Sequence, residues 1–134
     1  MSKCANLFIE LLNARDFQYQ VADGKDGDII VSFPYKGKDV RMFFSGEDGK
    51  YLSLYLLYEN APEDRIAEAV FVCNELNMRY KWITFFVDTD RDIMLHDDAI
   101  LSFESAAEES FELLARMITI SDEIKPDVMK ALYG

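Results

Sequence analysis

The chain has 134 residues, 50% hydrophobic and 13% aromatic, with 25 acidic against 14 basic side chains and a formal charge of −11. Length and composition describe one ordered domain, 1–134, large enough for a single core. The charge argues against binding nucleic acid, which depends on basic groups displacing counterions, and against docking on an anionic membrane. No apolar run nears the ~20 residues that span a bilayer.

Cys4, Leu7, Phe8, Leu11 and Leu12 recur at helical spacing and predict a first helix. Glu10 and Arg15 interrupt its apolar run, so it reads as part of the fold rather than a secretory leader, in a cytoplasmic protein. Residues 17–21 alternate as a short strand, followed by a turn rich in Asp and Gly over 23–28. From Ile29 to Tyr58 the period is two, broken by turns at Lys36-Gly37-Lys38 and Gly46-Glu47-Asp48-Gly49, which predicts an antiparallel meander. The third run, 51–58, carries Leu52, Leu54 and Leu56 on one face and Tyr51, Tyr55 and Leu57 on the other. A strand apolar on both faces has both covered, or has one kept for a partner. Leu52, Leu54, Tyr55, Leu56 and Tyr58 are therefore the candidate partner or dimer interface.

Asn60-Ala61-Pro62-Glu63 is a helix start, and Ile66, Ala69, Val70, Cys73, Leu76 and Tyr80 trace the expected buried face. Residues 82–87 and 93–95 form a hairpin around Asp88-Thr89-Asp90-Arg91-Asp92. Ser105 and Glu108 fit a capping box for a third helix striped by Phe111, Leu114, Ala115 and Ile118, and Pro126 opens a short last helix through Tyr133. The order α-ββββ-α-ββ-α(α) is α+β, an antiparallel sheet with helices packed against it.

Chemistry-bearing patterns are sparse. The 88–92 carboxylates mimic the opening of a calcium loop, but its sixth position is Ile93 instead of Gly and its twelfth is Ala99 instead of Glu. An acidic turn is the better reading, with no metal, cofactor or nucleotide loop implied. His96 is the one histidine and falls on a strand beside Asp97 and Asp98, pointing to solvent. Cys4 and Cys73 lie on apolar helix faces, where a buried thiol stays reduced and inert. No catalytic residue emerges. Residues 88–112 hold nine carboxylates and one cation, Arg91, a surface that serves solubility or meets a basic partner.

One resemblance goes further. Cys73-Asn74-Glu75-Leu76-Asn77, Tyr80-Lys81-Trp82, the strand ending Val87-Asp88, the strand 92–98, the helix with Phe111, Leu114 and Ile118, and the tail 126–132 resemble the YbjN family. This is a group of small bacterial proteins described as regulators of sensory transduction. The match covers 62–132; before it, only the element order agrees. The resemblance implies a fold like that of type III secretion chaperones, a homodimer that binds polypeptide without ATP, and no catalytic residues. Asn74, Asn77 and Trp82 are the family-matching positions, and an amide near a helix end is expected to serve structure. The leading expectation is a non-enzymatic interaction module, a chaperone-like adaptor or regulator that captures a protein segment. The alternative is a small-ligand sensor with a pocket between helices and sheet, near Asn77 and Tyr80. An enzyme built on His96 ranks last.

Overall fold

Helix α1 (Lys3–Ala14) starts where the Ser2 hydroxyl accepts the Ala5 N–H at 3.2 Å. A side chain at Gly49 would collide with that hydroxyl, and its backbone is left-handed (φ +70°), so glycine is required there. The computed structural model describes residues 2–134; Met1, the first residue of the expected 1–134 domain, lies outside them. The helix ends on Asp16, left-handed at φ 56°, and Phe17 closes it by donating its N–H to Leu12 O. That bond, and the packing of the Phe17 ring against Phe111, draw Phe17 out of the strand expected at 17–21. Strand β1 is Gln20–Asp23 instead.

Five more strands follow: β2 (Ile29–Tyr35), β3 (Lys38–Ser45), β4 (Tyr51–Asn60), β5 (Thr84–Val87) and β6 (Asp92–Ile100). They form one antiparallel sheet in the order β1-β2-β3-β4-β6-β5, so β6 lies between β4 and β5. Helix α2 (Ile66–Arg79) carries the chain between β4 and β5, and α3 (Ala106–Glu123) and α4 (Lys125–Tyr133) follow the sheet. The α+β class and the order of elements are those the sequence predicts.

One face of the sheet makes the core. Val31, Phe33, Val40, Met42, Phe44, Phe85, Ile93 and Leu95 join Phe8 of α1, Leu76 of α2, Leu114 and Met117 of α3 and Val128 of α4. Leu52, Leu54, Leu56 and Tyr58 belong to this same layer and are buried by the chain's own helices. The interface expected at these four positions is corrected accordingly: helices cover that face within one chain. Tyr55 alone of the five candidates stands on the opposite face, beside an exposed Tyr51 and Leu57.

Three local departures have clear causes. Asn60 caps no helix; its side chain donates to Asp90 O and Asp92 Oδ1 at 2.9 Å each, fastening β4 to the hairpin turn. The chain then makes a short 3-10 turn at Glu63–Arg65, and α2 buries Ala69, Val72, Cys73 and Leu76 while Ile66 and Val70 face solvent. The Ser105–Glu108 capping box is not made: Ser105 Oγ donates to Glu109, and Glu108 reaches Arg15 at 3.3 Å.

Candidate functional site

The expected hairpin stops short on one side only. Its turn is ordered by Asp88, whose Oδ1 accepts the N–H groups of Asp90 and Asp92 at 2.9 Å each. Strand β5 is short and its last pair is Thr84 with His96, whereas β6 continues to Ile100 beside Tyr51. What stops β5 is a corner. Trp82 is left-handed at φ 72°, a strained setting for a bulky residue. Arg116 of α3 holds the corner by donating to Lys81 O at 2.9 Å, with its guanidinium 5.2 Å from the Trp82 ring centroid.

Residues 97–100 are therefore a sheet edge with no strand on the outer side among the described residues. The Leu101 N–H bonds Lys50 O at 2.7 Å, so odd-numbered amides of this stretch face β4 and those of Asp98 and Ile100 face outward. The Asp98 N–H is taken by Asp97 Oδ1 at 2.9 Å. The Ile100 amide has no such side-chain acceptor among the described hydrogen bonds, and its side chain is largely exposed.

Beside this edge lies a groove of about 770 Å³, walled by the N-terminal half of α3 and lined also by Trp82. Its charged lining is one-sided: Asp97, Asp98, Glu108, Glu109 and Glu112 against Arg116. Asp97 is the unusual member. It points to the core side, opposite Leu54, and is only 5% exposed. Burial pushes its carboxyl above the ordinary range, and the Asp98 N–H and Arg116 offset this only in part. Sequence alternation puts Asp97 in an apolar slot, which is the one signal that singles it out.

The polar array on the open face does not assemble a nucleophile. His96 stacks on Tyr55 (centroids 4.5 Å apart) and its Nε2 lies 2.9 Å from Asp98 Oδ1; Ser53 Oγ donates to the same oxygen at 2.6 Å. The aspartate thus sits between serine and histidine, where a triad needs the histidine between the other two. His96 is half-buried by this stacking instead of standing free in solvent. Burial pushes the Cys73 thiol up to about 11 and raises that of Cys4, so neither is an activated nucleophile.

Asp88, Asp90 and Asp92 bring carboxylate oxygens within 4.8 Å of one another, but the turn amides already engage the Asp88 carboxylate and Asn60 that of Asp92. Asn77 is a double clamp on β5: its Oδ1 accepts the Phe85 N–H at 2.7 Å and its Nδ2 donates to Phe85 O at 2.9 Å. Asn74 is exposed, and Trp82 marks the groove. The large concavity thus lies beside β6, away from the Asn77 and Tyr80 region expected for a ligand pocket.

A family model described as YbjN, "Putative bacterial sensory transduction regulator", matches residues 5–130. The match takes in the first half of the chain, where the motifs alone were silent. Among solved structures, a chain of the ExsC–ExsE complex is similar over 94% of this chain and 96% of its own length, with a TM-score of 0.63 and 16% identity. That likeness is one of fold. No curated protein matches the sequence.

Proposed function

The chain belongs to the YbjN family, and from that premise we propose that it is a non-enzymatic interaction module. In this reading it is a cytoplasmic, homodimeric, chaperone-like adaptor or regulator that holds an extended polypeptide segment against the free edge of β6. The observation that carries the reading is that edge: 97–100 has no strand on its outer side among the described residues, the outward Ile100 N–H meets no acceptor among the described hydrogen bonds, and a groove lies alongside. A segment adding as a strand pairs with that edge and places alternate side chains in the groove. The fold's likeness to a chain found in a complex with a second protein supports it, as does a His96 array in which the aspartate, and not the histidine, bonds the serine. No helix among the described residues is long and apolar enough to cross a membrane.

The test is comparative capture from lysate with the tagged chain and with its Ile100→Pro version. Proline removes the outward amide at a position where an edge strand tolerates it. A protein retained in a defined ratio by the first and lost by the second supports the reading; equal recovery removes β6 from it. Light scattering decides the dimer, since the protomer mass is 15.5 kDa and a homodimer doubles it.

The groove's volume also lies in the range of small-molecule pockets, which favours a ligand sensor as the second reading. A metabolite that protects the protein thermally, with no dependence on Ile100, selects that one.

A further inference from the structure

We infer that the segment received at the β6 edge is basic, carrying lysine or arginine at alternate positions directed at the acidic wall of α3. The inference rests on the strand-docking reading above and adds the chemistry of the occupant.

Charge complementarity argues it. Asp97, Asp98, Glu108, Glu109 and Glu112 border the groove, and Arg116 is the cation facing them. Arg116, which also donates to Lys81 O and lies against the Trp82 ring, keeps its charge, but one cation facing five carboxylates leaves the field negative. A second observation is independent of the surface charges. Asp97 is a carboxylate more than nine-tenths buried that reaches the groove, and its one recorded partner is a backbone N–H. Arg116 offsets its burial only in part, and no ion pair to it is among those of the described residues, whereas a buried carboxylate is normally paired directly. Strand addition supplies a direct partner: side chains of an added strand alternate, one set toward α3 and Asp97, the other toward Asp98 and His96. Long lysine or arginine side chains also lay their methylenes along Leu113 and Trp82 while their heads reach the carboxylates. A segment bearing Asp or Glu meets a wall of its own sign.

Trp82 is the single tryptophan and lines the groove, so its emission reports occupancy directly. The probe is a short, end-capped peptide alternating lysine and valine, with a glutamate–valine peptide and spermidine as comparators. The full chain is compared with Glu109→Gln/Glu112→Gln and with Ile100→Pro. An N-methylated lysine–valine peptide, which keeps the charges but cannot pair as a strand, tests the edge even where the proline disturbs the sheet. The expected result is that only the lysine–valine peptide shifts Trp82 emission. Its affinity should fall about fivefold in the glutamine variant, as two exposed charge pairs predict, and at least as far on N-methylation.

Spermidine binding that matches the peptide and ignores Ile100→Pro overturns the inference in favour of a free polycation. Preference for the glutamate–valine peptide, with sensitivity to Ile100→Pro, overturns the basic segment but leaves strand docking standing. Binding of neither peptide overturns the inference, and an unchanged lysate partner with Ile100→Pro would overturn the strand-docking reading with it.

Discussion

At its C-terminal end helix α3 is sealed to the sheet by hydrogen bonds and ion pairs that surround a smaller cavity of about 250 Å³. Tyr58 donates its hydroxyl to Ser121 O at 2.7 Å, Lys38 bonds Tyr58 O and pairs with Glu59 at 3.0 Å, and Asp122 accepts from Tyr35 and Lys36. At its N-terminal end the same helix faces the same sheet across an open groove with carboxylates on both walls. The packing elements are shared, and the charge balance differs. At one end the anions named have a cation or donor; at the other the carboxylates outnumber the cations beside the unpaired edge of β6. On the strand-docking proposal, that imbalance is what a basic segment would relieve.

Tyr58 tests the sealed end most severely. It is 3% exposed and anchors β4 under α3. Tyr58→Ala should cost about 3–5 kcal/mol in urea unfolding, the range for emptying an aromatic site. Tyr58→Phe keeps the ring and should cost about 1 kcal/mol, the worth of a hydrogen bond, if Ser121 O finds water. Burial holds the Tyr58 phenol up to about 12, against an ordinary value of 10.0. A folded pKa above the unfolded one gives stability that is complete below pH 10.0 and is lost as pH climbs toward 12. Tyr58→Phe should flatten that alkaline limb, and a variant whose midpoint falls just as the parent's does would mean another group titrates there.

Asp97 tests the open end in the opposite direction. Asn keeps an oxygen for the Asp98 N–H and removes the buried charge, so Asp97→Asn should stabilise the fold at neutral pH by roughly 1 kcal/mol, the low end of the cost of an unsatisfied buried group. The folded carboxyl lies above its ordinary 3.8, so the penalty is absent below that value and grows as pH rises through the folded one. The gain from asparagine should therefore vanish in acid when thermal midpoints are compared across pH, with Arg116, Asp98 and His96 the charged neighbours that modulate it. A destabilised variant would show that the charge serves the fold after all.

How much of this was legible in the residues differs between the two ends. The alternation of Leu52, Leu54 and Leu56 and the turn formers at 36–38 and 46–49 predict the meander because local pattern and tertiary burial agree there. Asn77 was expected to satisfy backbone near a helix end, and it bonds the Phe85 amide and carbonyl. The groove was not legible. The long reach of β6 is masked by Asp97 and Asp98, two carboxylates that read as a strand end, and Arg116 looks like an ordinary helix-surface cation until Lys81 O is brought beside it. The bifacial pattern of β4 was legible too, but not which face the helices take, because that depends on where α1 and α3 land. The capping residues misled for a similar reason. Asn60 and Ser105 have the right chemistry for caps, and tertiary partners, the 88–92 turn and Glu109, compete for them.

The smallest effect is the most discriminating. Glu109 lies in the first turn of α3, where a negative charge favours the helix dipole by about 0.3–1 kcal/mol. Against that, Glu109 and Glu112 face further carboxylates, and neutralising them relieves repulsion of similar size. The two terms oppose each other, so Glu109→Gln/Glu112→Gln should leave the unfolding midpoint within about 0.5 kcal/mol of the parent. Lys38→Met at the sealed end removes a cation that lies over the Tyr58 ring at 4.5 Å and bonds two oxygens; it should cost about 1–3 kcal/mol, because it leaves Glu59 and Tyr58 O without a donor. Calorimetry on both variants under one buffer measures the contrast. Equal losses would show that the acidic wall holds helix to sheet as the sealed end does, and the groove would then be a gap in packing, with no occupant to explain.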